Sequence, residues 1–219
     1  MYKIEMLKDK VGEIFDIQPV IDQDIDLADI VIEQLAQNLD LCLNIPIVRV
    51  FSTIHKTGKS FYDYKMCIRL LNFYIGCKDI NKEKKEKFYE KNVFGKEEEI
   101  GYKIIQLLEY QDTDEKAILI GKLYAYCAEQ GYDLNSFFRI CRIVEKCYYE
   151  DLTFLFHWKT REIICAKNKL VPQEIVESLY NAGMLSECGI DGGGFKVDDD
   201  EGIKYALSKY GEIILSIIE

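Results

Sequence analysis

Apolar residues recur at helical spacing through most of the chain. Ile4, Leu7, Val11 and Ile14 repeat every three or four positions, as do Leu27, Ile30, Val31, Leu35 and Leu39. Pro46 interrupts, and residues 47–54 read equally as a short strand or a helical turn. Phe61, Tyr64, Ile68, Leu71 and Ile75 then restore the period. A charge-rich stretch, KDINKEKKEKFYEKNVFGKEEE, leads through Gly95 into apolar residues 100–110. In the next segment Asp112 or Thr113 is expected to cap a helix, with Asp114 and Glu115 in its first turn and Gly131 closing it. Leu134, Phe137, Phe138, Cys141, Val144, Tyr148, Leu152 and Leu155 make a wide apolar face on one long helix or two in line. The pattern predicts a mainly α fold. About six helices bundle over residues 1–158, with a sub-boundary near 78–96, and a small α+β unit with a β-hairpin near 187–207 occupies 159–219.

The C-terminal part has its own order: helix, glycine, apolar pair, strand, glycine-rich loop, strand, helix. LYNAGML ends one helix at Gly183, SECGIDGGGFKVDDDEG is rich in turns, and YALSKYGEIILSII opens the last helix. These phrases resemble the second half of a winged-helix domain over roughly the last 50 residues. In that family the helix before the wing reads DNA. Here PQEIVESLYNAG holds Glu174 and Glu177 and no Lys or Arg, so it offers no cationic donor to phosphate or guanine. The wing segment adds Asp198, Asp199, Asp200 and Glu201. The middle, residues 45–158, is similar to bacterial all-helical proteins that enter through Ile-Pro-Ile and Thr-Gly-Lys-Ser. That resemblance implies no activity.

Charge sharpens the exclusion of nucleic acid. Among 219 residues, 38 acidic side chains outnumber 28 basic ones, for a net charge of −10 and a pI near 4.9. Nucleic-acid affinity rests on cations displacing counterions, so this balance favours protein partners or self-association. The eight cysteines, with a charged start MYKIEMLKDKVGEIFD and no signal-peptide core, are expected as reduced thiols in a cytoplasmic protein. No apolar run reaches the ~18 residues of a membrane span. Abundant Lys, Ile, Asn and Tyr suggest an AT-rich bacterial or phage source.

Two motifs invite a sharper reading. Gly58, Lys59 and Ser60 match the end of a phosphate-binding loop, but Thr53 stands where the first glycine belongs, and no strand ending in aspartate follows. A turn at Gly58 and a helix cap at Ser60 explain the same letters. Asp22, Asp24, Asp26 and Glu33 fit a calcium loop, yet Leu27 replaces its required glycine, and helix capping suffices. No C-x-x-C pair occurs, and His55 and His157 are the only histidines.

No catalytic residue, cofactor or metal site is therefore expected. The interaction candidates are the aromatic series Tyr148, Tyr149, Phe154, Phe156 and Trp158, and a local basic spot at His55, Lys56 and Lys59. The expected function is a non-enzymatic, cytosolic protein-interaction or regulatory module. Alternatives are a winged-helix nucleic-acid-binding regulator and a nucleotide-binding enzyme using Lys59 and Ser60 as phosphate contacts.

Overall fold

The computed structural model describes residues 32–40, 43–54, 61–157, 164–165, 172–189 and 203–218. The helix expected over residues 2–15 and the aspartates of the calcium-like stretch lie outside these. The chain is mainly helical with a small antiparallel sheet near the C-terminus, as the apolar spacing predicts. It forms two compact units, Met1–Phe137 and Phe138–Glu219.

In the first unit a π-helical turn, Ala36–Asp40, precedes α1 (Ile47–Ile54). The Asp40 carboxylate caps α1 from outside, accepting the N–H groups of Val48 at 2.8 Å and Arg49 at 3.2 Å. Residues 47–54 are thus helix, not strand. Next come α2 (Phe61–Cys77), α3 (Lys82–Asn92), α4 (Glu97–Glu109) and α5 (Glu115–Gln130). Asn81 caps α3 by accepting the Lys84 N–H, and Gly131 ends α5 at φ 73°.

The core centres on α2 against α5. Two glycines set their separation: a Cβ on Gly76 would lie 2.3 Å from the Ile118 carbonyl oxygen, and one on Gly121 2.2 Å from that of Phe73. Backbones therefore meet there with no side chain between. Beside this seam the buried Tyr124 ring takes edge contacts from Phe73, Phe88 and Phe137 at centroid distances of 6.1, 5.3 and 5.5 Å. Three helices and the start of a fourth are pinned on one ring.

The helix α6 (Leu134–Lys146) begins at Asp133, whose carboxylate accepts the Ser136 N–H, and α7 (Tyr149–His157) follows after a break at Cys147 and Tyr148. The wide apolar stripe is thus two helices. The second unit continues with β1 (Ile164–Cys165), α8 (Gln173–Ala182), β2 (Leu185–Gly189), β3 (Lys204–Leu207) and α9 (Lys209–Ser216). The sheet order is β1-β3-β2, antiparallel, with Leu185 opposite Leu207 and an irregularity between Glu187 and Gly189.

The phrases that resemble a winged helix have physical causes in the second unit. Gly183 ends α8 in the left-handed region at φ 94°, letting the Met184 N–H reach back to the Leu179 carbonyl. Ser208 caps α9 through the Gly211 N–H and donates its own hydroxyl to the Gly183 carbonyl at 2.7 Å. A Cβ on Gly211 would lie 2.2 Å from the Met184 carbonyl oxygen, so only glycine fits.

Candidate functional site

Exposed rings punctuate α4 and the turn before it. Three consecutive acids, Glu97, Glu98 and Glu99, suit its first turn, where the macrodipole favours negative charge. Ile100, Ile104, Ile105, Leu107 and Leu108 turn inward. That periodicity turns Tyr102 outward, at 46 % exposure, with Phe94 at 73 % before the helix and Tyr110 at 67 % on its C-cap. Large exposed aromatics are costly to leave in water and are typical anchors of protein contacts.

Two of the rings have neighbours that hold them. Phe94 packs edge-on against Tyr89, centroids 6.3 Å apart. The Tyr89 hydroxyl donates to Glu97 at 2.6 Å, and the Gly95 N–H donates to the same carboxylate oxygen at 3.0 Å. The Tyr89 hydroxyl, followed by the Gly95 N–H, holds the Glu97 carboxyl below its ordinary value; the same bond raises the Tyr89 phenol. Tyr102 accepts at its hydroxyl from the Gln106 amide at 3.2 Å.

Behind Tyr110 lies a buried cation. Arg69, 3 % exposed, donates from Nη1 to the carbonyls of Leu108 and Glu109 at 2.8 and 2.9 Å, and from Nη2 to that of Gln111. Its Nε meets Asp114 Oδ1 at 3.1 Å. The last carbonyls of α4 thus find a guanidinium where many helices use a glycine turn. Asn72 binds the Asp114 carbonyl at 2.8 Å, and the fully buried Lys116 pairs with Asp112 at 2.6 Å. Asp114 itself occupies the N-cap of α5 with helical backbone angles and no side-chain cap bond. The expectation that Asp112 or Thr113 caps is corrected: the acids of this corner serve Lys116 and Arg69 instead. A cavity of about 10 Å³ lined by Lys65, Met66, Arg69 and Glu109 has room for one water and no substrate.

The sequence candidates fall unevenly. Tyr148 is 66 % exposed in the break between α6 and α7, whereas Tyr149 and Phe154 are half-buried. Phe156 lies on α7, but its side chain, like Trp158, His55, Lys56, Lys59 and Ser60, lies outside the described residues. Thr53 sits on α1 and donates to the Arg49 carbonyl at 2.9 Å, so a helix, not a strand, leads toward Gly58. Among the described residues no group of three or more His, Cys, Asp or Glu is placed to hold a metal. Cys67, Cys77, Cys127, Cys141 and Cys147 are buried, and burial pushes the Cys127 thiol up to about 12. No helix among the described residues is long and apolar enough to cross a membrane.

Phe94, Tyr102 and Tyr110 escape a sequence reading because single aromatics spaced eight apart do not form a stripe. The one available signal was that the core positions of α4 already account for its inward face. Compared with protein-family models, curated proteins and solved structures, the chain has no match.

Proposed function

We propose that this chain is a non-enzymatic protein-interaction module whose contact face in the first unit is the aromatic row of α4. The observation that carries the reading is the exposure of Phe94, Tyr102 and Tyr110, of which Phe94 packs on Tyr89 and Tyr102 accepts a bond from Gln106. Binding through such side chains loses little conformational entropy, because the backbone and its supports are ordered beforehand. The acidic overall charge and the absence of Lys or Arg from α8, with Glu174 and Glu177 exposed, favour a protein over a nucleic acid as partner. A cytosolic setting and a regulatory role extend the same proposal.

The test is capture from a lysate of the source organism by the full chain and by Phe94→Ser/Tyr102→Ser/Tyr110→Ser. The triple variant keeps its helical circular dichroism and loses the captured protein. Undiminished capture removes the row from the reading.

A further inference from the structure

Resting on that interaction reading, we propose that the occupant of the α4 face is an amphipathic helix of a partner protein, apolar where it meets the rings and bearing Lys or Arg at its edges. The geometry comes first. Glu98, Tyr102, Gln106 and Tyr110 are spaced four apart, so they form one ridge along the helix. Tyr102 and Tyr110 lie about 12 Å apart along the axis at 1.5 Å per residue. A partner helix with apolar residues at i, i+4 and i+7 spans a similar length, and its grooves receive such a ridge.

Charge then decides what flanks the apolar strip. Glu98 heads the ridge in an acidic first turn. The nearby cation Lys103 is engaged by Glu99 at 2.6 Å. The last turn of α4 has no basic residue. A second copy is therefore a poor occupant. Parallel pairing sets glutamates against glutamates, and antiparallel pairing brings no basic side chain of the last turn to the acidic first turn. Basic edges on a different protein meet these carboxylates and can also lie over the tyrosine faces.

Binding of two labelled synthetic helices of about 14 residues, or four turns, tests the proposal with the full chain. Both carry the same leucine face; one has lysine edges and the other glutamate edges. The lysine peptide is expected to bind, and Tyr102→Ser/Tyr110→Ser weakens it by about tenfold or more. Glu98→Lys weakens it, while Glu90→Lys on α3, of equal net charge, does not. Equal binding of both peptides, equal effects of the two lysine substitutions, or no binding of either overturns the basic amphipathic partner. So does tyrosine-dependent dimerisation in sedimentation, which assigns the face to a second copy. Should lysate capture still depend on the rings in any of these cases, the interaction reading stands and only the partner class fails.

Discussion

Arg69 shows how much one buried side chain can organise. Its planar fork reaches three carbonyls and a carboxylate that belong to two helices and the turn between them. Lysine has the charge but not the fork. Arg69→Lys and Arg69→Ala should both destabilise the chain in urea unfolding, the alanine by about 3–5 kcal/mol, the scale of breaking a buried ion pair. In the sequence Arg69 is one cation in a helix that reads as apolar, and nothing local reveals that its partners lie some forty residues onward. Asp40 makes the opposite point about pH. Burial raises its pKa above the ordinary 3.8, against the lowering effect of the Val48 and Arg49 N–H groups. A raised carboxyl binds its proton more tightly in the folded state. Its stabilising contribution is thus complete below the unfolded value and is lost as pH rises through the folded one. Asp40→Asn should therefore gain on the wild type between about pH 3.5 and pH 7, read as the difference in unfolding free energy. An unchanged difference would show that the N–H bonds compensate the burial.

Glycines that look alike in sequence separate at the scale of the helix. Gly121→Ala drives a methyl into the Phe73 carbonyl on α2, and thermal unfolding should show a loss of about 1–3 kcal/mol or more. Gly101 sits mid-α4 with its nearest atoms at 3.6 Å, ordinary contact distance. Gly101→Ala should stabilise by about 0.4–1 kcal/mol through the lower entropy of its unfolded chain. Apolar periodicity foresaw most of the described helices but not which mid-helix glycine was a seam and which a mere tolerance, because that depends on what lies across from it. The closing glycines were more legible: Gly131 and Gly183 follow the last apolar position and take positive φ. The opening of α9 after Leu207 was legible too, whereas the close approach of Gly211 to the Met184 carbonyl, far off in sequence, was not. The break between α6 and α7 was left open, since Tyr148 keeps the apolar spacing while pointing to water.

Across the whole chain, composition speaks mainly through charge. With a net charge of −10 at neutral pH and a pI near 4.9, mutual repulsion opposes association of copies most at neutrality. Light scattering across a pH series should therefore show association strongest near about pH 5 and least near pH 7. Salt should weaken any partner held through Glu98, and leave a purely aromatic contact unchanged. The mainly helical architecture and the C-terminal sheet were legible because burial imposes periodicity on sequence. The aromatic row was not, because exposure is what remains after burial and leaves no period of its own.

The seam between α2 and α5 also constrains how this sequence can vary. Since Gly76 and Gly121 each abut the opposite backbone, neither can acquire a side chain while the other helix stays in place. Among descendants of a common ancestor the two positions should stay glycine together or change together, with the helices moved apart. That paired constraint is a means of recognising distant kin whose surfaces, including the row on α4, have diverged to suit other partners.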